Sequence, residues 1–307
     1  MSPRISIIIP ILNSLSIGTT LRAIRDQQFD LSTCEVLVVG LDGPGIVEED
    51  SLVRHIDTGE AYGAARNRNI GMGEANGDII CFTDSDCIPH PDWLYRLTAP
   101  FANSCVGVVG GGIVFDTDNY WTWCDNISWF YQVQADAPAG TRLQLPTLNL
   151  AVRRDVVDSV GLLNDVYVYA GDDIEWTTRM RSMGYRLDFE PRAIVKHDHT
   201  RSSLRQLWRH GYTYGRYSPK FFLRDRRTES SLERFLLPRR RISILAMTPL
   251  LSLLAAVRAV HAFRGQRGYW KSMPGVWLSK IAWCIGAASN PAHPYLLNEL
   301  PSQTDGK

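Results

Sequence analysis

Two carboxylates one residue apart, Asp84 and Asp86, close the stretch Asp78 to Asp86, directly after the run Ile79-Ile80-Cys81-Phe82-Thr83, which contains no Gly or Pro. Such a run is the mark of a buried strand. Residues i and i+2 of an extended chain point the same way, so the pair can face one spot beyond the strand end. That is where open α/β sheets bind their ligands. Carboxylates held together repel, and a hard divalent cation relieves the repulsion while recruiting further oxygen ligands, phosphate among them. A lone Asp-x-Asp is more often a polar turn capping a strand, so the surroundings must decide.

A second acidic cluster reads Gly171-Asp172-Asp173-Ile174-Glu175. Asp172 with Glu175 three residues on has the capping-box pattern and Gly184 is a stop, which predicts a helix from Asp173 to Met183. Asp173, at the first helical position, projects from the helix start, where the dipole favours the charged form that a general base needs. His197 and His199 follow a strand-like Ala193 to Val195. Neither makes a zinc motif with its neighbours, so they matter only if the fold carries them to Asp84 and Asp86.

The elements that must position these groups begin with a strand at Ile5 to Ile9, ended by Pro10 and Asn13, and a helix from about Ile17 to Gln28. A strand at Glu35 to Val39 follows, ending in Gly40-Leu41-Asp42-Gly43-Pro44. Strand, helix and strand at this spacing form a βαβ unit with parallel strands. Asp42 sits at a strand's C-terminal end, suited to hold a ribose or base, although Asp-Gly-Pro-Gly is equally good turn chemistry. Between Gly59 and Gly77 the chain is rich in Gly, Ala and Asn, and Arg66 there could meet a phosphate. Gly71, Gly73 and Gly77 precede the central strand with the wrong spacing for a dinucleotide fingerprint, which argues against a nicotinamide cofactor. Pro89 to Phe101 reads as a short helix and Val106 to Phe115 as a Gly-interrupted strand. The aromatic-rich stretch Tyr120 to Tyr131 is a core cluster or a sugar-stacking wall.

At 307 residues and 45% hydrophobic content the chain can bury one large domain and an appendage. Its six cysteines form no C-x-x-C pair, the pattern of reduced thiols and a cytosolic address. The short apolar run Ile5 to Leu12, broken by Pro10, reads as a strand and not a signal peptide. A net charge of +1 hides an asymmetry: residues 1–200 carry 15 Lys and Arg against 27 Asp and Glu, while 201–272 carry 16 against 3. An acidic half followed by a basic tail suggests two jobs on one chain.

Taken together these stretches resemble the family 2 glycosyltransferases of the GT-A fold, from Ile5 to about Arg216. The resemblance rests on Ser6-Ile7-Ile8-Ile9-Pro10 with Asn13, on Ala65-Arg66-Asn67, on Gly77-Asp78 through Asp84-Ser85-Asp86, and on Thr147-Leu148-Asn149 through Arg153-Arg154. Gly171-Asp172-Asp173 with Arg179, Gly184-Tyr185, and Pro191 through Val195 with His197 complete it. It implies a Rossmann-like, mixed but mainly parallel α/β sheet flanked by helices. It also implies transfer of a sugar from a nucleotide-diphosphate sugar to an acceptor hydroxyl, with inversion and with Mn2+ or Mg2+. Asp86 would be the metal ligand, Asp84 a ribose or metal contact, and His197 a further ligand. Asp173 would be the base. Pro10, Asn13, Asp42, Arg66 and Asn67 would line the nucleotide, with Asn149 and Asp172 in the donor or acceptor pocket. The chain departs from the family pattern at Asp172, where Glu is usual, and at Gly40-Leu41-Asp42, which replaces an acidic pair. Gln206-Leu207-Trp208-Arg209-His210 resembles the Gln-x-x-Arg-Trp element of processive members, with His210 for the tryptophan, and would add Trp208 and Arg209 to the pocket.

Two other classes compete. A sugar-1-phosphate nucleotidyltransferase needs a Gly-rich, basic loop after strand one, which Pro10-Ile11-Leu12-Asn13 lacks. The other is a catalytically silent nucleotide-sugar or membrane-binding module. A nucleic-acid partner, suggested by the basic tail, is opposed by the acidic half.

Residues 217–307 are expected to form a helical extension to a catalytic domain of residues 1–216. Ile242 to Val257 is sixteen mostly apolar residues, which as a helix reaches roughly 24 Å, short of a ~30 Å hydrocarbon core. Tyr269 to Ala288 carries Trp270, Trp277 and Trp283 but is interrupted by Lys271, Pro274 and Lys280, a pattern suited to an interface. With Arg239-Arg240-Arg241 in front, the reading is peripheral or monotopic attachment to an anionic membrane at the cytoplasmic face, near a lipid-linked or other glycan acceptor.

Overall fold

A computed structural model describes residues 4–165, 170–199, 201–217 and 241–289. Four parallel strands form one half of the sheet: β1 (Ile5–Leu12), β2 (Cys34–Leu41), β3 (Val53–Ile56) and β4 (Ile79–Thr83). The near-continuous apolar runs of β1, β2 and β4 reflect burial on both faces. Helices α1 (Ile17–Arg25) and α2 (Ala64–Glu74) are the crossovers. The small residues of α2 serve contact with the sheet: a Cβ on Gly71 would stand 2.6 Å from Ile8 Cγ2.

The other half holds β5 (Cys87–Pro89), β6 (Val108–Val114), β7 (Gly140–Thr141), β8 (Asn149–Arg153) and β9 (Leu187–His197). The order across the sheet is β3-β2-β1-β4-β8-β6-β9-β5, with β7 on β9. β8 and β5 run antiparallel to their neighbours. The sheet is thus mixed and mainly parallel, as the resemblance implied. Around it lie α3 (Trp93–Thr98), α4 (Tyr120–Phe130), α5 (Arg154–Val160) and α6 (Asp172–Ser182). The helix expected over Pro89 to Phe101 is divided into the end of β5, α3 and a 3-10 turn. Asn119 caps the aromatic stretch as α4, accepting from the backbone N–H groups of Trp121 and Thr122.

A second core joins α4 to α7 (Leu204–Tyr217), α8 (Arg241–His261) and α9 (Met273–Ser289) through Ile127, Leu207, Ala256, Ala259, Phe263 and Val276. The tail departs from expectation in two ways. α8 is 21 residues long, about 31 Å at 1.5 Å per residue, and Ile244–His261 has the length and composition of a membrane-crossing helix. α9, in the segment expected at an interface, is packed in along one side, while Trp277 on it and Trp270 just before it stay exposed. Lys280 is buried, donating to Ser128 O with Nζ 4.2 Å from the Trp129 ring centroid. A Cβ on Gly215 would stand 2.0 Å from Trp283 O, so only glycine lets α7 and α9 come this close. Arg239 and Arg240 lie outside the described residues.

Candidate active site

The carboxylates at the end of β4 are organised by a residue that sequence reasoning missed. Arg68, 4% exposed on α2, donates from Nη2 to Asp84 Oδ1 at 2.6 Å and from Nη1 to Asp172 Oδ2 at 3.1 Å. It joins the strand end to the start of α6. Burial disfavours its charge, but the two carboxylates raise its pKa overall, and its Nε has no hydrogen-bond partner among the described residues. The signal was available: Ala65, Arg68 and Met72 share the buried face of α2 at helical spacing. Arg66, singled out for phosphate, is exposed, with its guanidinium 3.7 Å from the Tyr62 ring centroid. Two residues apart on a helix, Arg66 and Arg68 point about 200° apart, so only Arg68 faces the carboxylates.

Asp86 and His197 meet. β5 pairs Cys87 with His197, and His197 Nε2 stands 3.8 Å from Asp86 Oδ2. The histidine's tautomer follows from its other side. Asn126 Nδ2 donates to Thr122 O at 3.0 Å, so Asn126 Oδ1 must be the atom facing His197 Nδ1 at 2.9 Å. Nδ1 therefore carries the proton, and the Nε2 lone pair faces the Asp86 carboxylate. Burial, assisted by Arg201, lowers the His197 pKa to about 3, keeping it neutral. Burial also raises the Asp86 pKa, with Arg201 opposing. Among the described residues no group of three His, Cys, Asp or Glu side chains is placed to hold a metal by itself.

The start of α6 differs from the capping box. Gly171, at φ +97°, is the N-cap, and Asp172 is already helical. Glu175 turns to Arg179, meeting Nε at 3.0 Å and Nη2 at 2.9 Å, instead of reaching back to a cap. Asp172 spends its carboxylate on Arg68; burial raises its pKa and Arg68 opposes. Asp173 lies in the first turn, with Oδ1 2.7 Å from the Ile174 N–H.

At the C-terminal ends of β1 and β2, Asn13 (φ +52°) accepts from the Gly43 N–H at 2.7 Å, while Pro10 pairs with Val39 across the strands. Asp42 Oδ2 accepts from the Val47 N–H at 2.7 Å, and Asn67 Nδ2 donates to Ile11 O at 3.4 Å. Asp42 Oδ1 and Asn67 Oδ1 are buried acceptors without hydrogen-bond partners among the described residues, an arrangement that invites donors from a ligand. Ser85 O accepts from Thr20 Oγ1 at 3.1 Å, tying the Asp-Ser-Asp turn to α1.

One residue expected in the donor or acceptor pocket is placed otherwise. Asn149 is wholly buried, donating to Gly112 O and Ala193 O and accepting from Trp93 Nε1. Its amide is consumed where the β6–β9 register shifts. Trp208 and Arg209 lie on the exposed face of α7, whose buried positions are Leu207, Gly211 and Gly215.

Behind His197 lies a second polar cluster. Asp125, 1% exposed, receives His210 Nδ1 at 2.7 Å, Arg201 Nε at 2.8 Å and Trp129 Nε1 at 3.2 Å, with His199 Nε2 at 3.4 Å. Burial would raise its carboxyl, but His210 and Arg201 hold it well below the usual range. The cluster ties α4 to α7.

The chain matches the sequence family described as glycosyl transferase family 2 over residues 6–160. It is similar to glycosyltransferase AglE of Haloferax volcanii, 32% identical over 206 residues that cover 64% of this chain and 67% of that protein. It is also similar to the pre-mycofactocin glycosyltransferase of Mycobacterium tuberculosis, 28% identical over 217 residues, 66% of this chain and 44% of that one. The chain therefore spans less than half the length of the second relative. In fold it resembles the mannosyltransferase PcManGT of Pyrobaculum calidifontis, solved with GDP-Man and Mn2+, with a TM-score of 0.59 and 21% identity over 93% of this chain and 86% of that one.

Proposed function

The chain belongs to glycosyl transferase family 2 and is a glycosyltransferase, and from that premise we propose that it moves a sugar from a nucleotide-diphosphate donor to an acceptor hydroxyl with inversion, assisted by Mn2+ or Mg2+. The observation that carries the reading is the pair Asp86 and His197: a carboxylate and a ring lone pair, two acceptors 3.8 Å apart, need a cation between them. Asp86 and His197 would hold the metal, with diphosphate oxygens completing a shell that two side chains cannot fill. When bound, such a cation neutralises charge building on the leaving diphosphate.

The chain's own residues supply the rest. Arg68 orients Asp84 beside the metal position and fixes the start of α6. Asn13, Asp42 and Asn67 line the nucleotide, with the two unpartnered oxygens accepting from its base or ribose. Asp173, in the first turn of α6 where the helix dipole favours its anion, takes the proton of the acceptor hydroxyl, a task worth about 10²- to 10⁴-fold. The new C–O bond forms on the face opposite the one whose bond to phosphate breaks, so one displacement inverts the anomeric carbon.

Residues 1–216 would be the catalytic unit and 217–307 an extension holding it to the cytoplasmic face of a membrane, near a lipid-linked or other glycan acceptor in surface polysaccharide or glycoconjugate synthesis. The exposed leucines of α8 support that placement. The test is a thermal-shift panel of nucleoside diphosphates with and without Mn2+, since ligands bound only by the folded state raise Tm. A rise that needs both nucleotide and metal, lost in Asp86→Ala, is expected. An equal rise in Asp86→Ala would sink the metal assignment.

A further inference from the structure

α8 changes character along one exposed stripe. Leu245, Leu250, Leu253, Leu254 and Val257 are between 41% and 53% exposed, and the same stripe continues into the exposed Arg258 and His261. Three turns of apolar side chain, about 18 Å long, thus end in cations. There the helix opens into a groove of about 670 Å³ whose lining includes Arg142, Arg258, His261 and Arg264 against a single acid, Asp136.

The groove is built from fixed parts. Gln134 Nε2 donates to Ala262 O at 2.8 Å, and Phe263 is buried with its ring centroid 5.9 Å from that of Phe115. Arg142 forms a wall, its guanidinium spent on the carbonyls of Gln132, Pro138 and Thr141. Asp136 takes Gln266 Nε2 at 3.4 Å. Arg264 donates to His261 Nε2 at 2.8 Å, and the Arg258 side chain has no hydrogen bond or ion pair among the described residues. Neither guanidinium is hydrogen-bonded to a carboxylate among the described residues, Asp136 being the one acid in the lining, and guanidinium geometry suits phosphate oxygens.

We propose that this groove takes the phosphate of an anionic membrane lipid, presented at the bilayer surface into which the apolar stripe of α8 dips. A helix lying in the interface buries its apolar face to a shallow depth and leaves its basic residues level with the headgroups. Charge complementarity commits the occupant: an apolar protein partner would leave Arg258 and Arg264 desolvated and unpaired. The inference rests on the membrane attachment proposed above and adds a headgroup preference to it. Cations at a helix C-terminus also offset its dipole, which affects stability but gives no preference between lipids.

The experiment is co-sedimentation of the full chain with vesicles of phosphatidylcholine alone or containing phosphatidic acid, at about 0.1 M salt. The wild type is expected to prefer phosphatidic acid, and Arg258→Gln with Arg264→Gln to lose about tenfold or more of that affinity, near fivefold per charge. Arg4→Gln with Arg22→Gln, the same change of net charge on residues far along the chain from α8, is expected to lose less than twofold. Equal losses in the two double variants, or none in the first, overturn the groove. A soluble phosphate as the true ligand would appear as glycerol phosphate raising the Tm of the wild type but not of the groove variant, with vesicle capture unmoved by the substitutions; that too overturns the lipid assignment. Failure of membrane attachment itself reads differently: Leu250→Asn with Leu254→Asn would then leave capture unchanged on every vesicle. Donor hydrolysis in water is expected to stay within twofold of wild type in all of these variants.

Discussion

Asp172 and Asp125 are both buried aspartates within reach of an arginine, yet burial prevails at the first and the donors prevail at the second. Asp172 shares Arg68 with Asp84, and its carboxyl is pushed up by burial with Arg68 opposing. Asp125 has Arg201, His210 and Trp129 to itself, and despite burial its carboxyl is held down. At the end of β4 acceptors outnumber donors: Asp84 and Asp172 share one guanidinium, while Asp86 faces the lone pair of His197. Around Asp125 donors outnumber acceptors. A shortage of donors invites a cation, whereas a surplus completes a clamp, so equal burial marks a reactive site in one place and a structural joint in the other.

The strongest tests of this contrast are substitutions that should separate activity from stability. Asp86→Ala is expected to take transfer to background while the metal-free protein melts at or above the wild-type temperature, because a repulsive charge is removed. Asp173→Asn keeps size and most hydrogen bonding but accepts no proton, so kcat should fall about 10²-fold or more with donor binding retained. If Asp172→Asn proved lethal and Asp173→Asn mild, the base would be Asp172. Asp125→Ala should do the opposite of Asp86→Ala. It strands Arg201 and His210 in a buried cluster and should cost about 3–5 kcal/mol in denaturant unfolding, with turnover per folded molecule near normal. Lost turnover at unchanged stability would merge the two clusters into one catalytic unit.

A smaller effect is expected where the clusters touch. Asn126 sets the His197 tautomer from a backbone carbonyl of α4. Asn126→Leu should leave the ring free to rotate and weaken Mn2+ binding about 10- to 100-fold, read by titrating the metal in the absence of donor. Unchanged affinity would mean that the β5–β9 pairing alone orients His197.

How far the sequence carried differs between the same two regions. β1, β2 and β4 were legible because burial on both faces leaves long apolar runs, whereas β3 was missed because Arg54 and His55 interrupt it; Asp84 and Asp86 stood out because the i, i+2 rule of a strand is strict. Arg68 was missed because it competed with Arg66 two residues away, and only the face of α2 turned to β1 decides between them. The clamp was illegible for a different reason: Asp125, Arg201 and His210 lie up to 85 residues apart, and no local pattern announces such a meeting. The tail was legible only in part. Trp and Lys in the second segment suggested an interface; Lys280 is instead satisfied by Ser128 O and the Trp129 ring, while Trp270 and Trp277 stay exposed together with the plainer leucines of α8.

The last prediction uses pH to set the two regions against each other in the metal-free protein. His197 in the site and His199 beside the clamp both have pKa values lowered to about 3, chiefly by burial, against an ordinary value near 6.5. Between those values the unfolded chain binds more protons than the native one, so stability is highest above pH 6.5 and falls as pH drops through the window, by about 1 kcal/mol per histidine at pH 5.5 relative to pH 7. Asp125, held low, contributes stability that is present above the ordinary carboxylate range and is lost only as pH falls below it. Asp86 and Asp172, raised by burial, act in reverse, and their protonation on the acid side relieves the site. His199→Gln should therefore flatten the unfolding free energy between pH 7 and 5.5 by one histidine's share, leaving the steeper loss below pH 4 that belongs to Asp125. Urea unfolding at half-unit pH steps reads both windows. An unflattened slope would mean that His199 titrates normally in the native protein, so that the clamp is wetter than its burial implies and the difference between the two clusters is smaller than drawn.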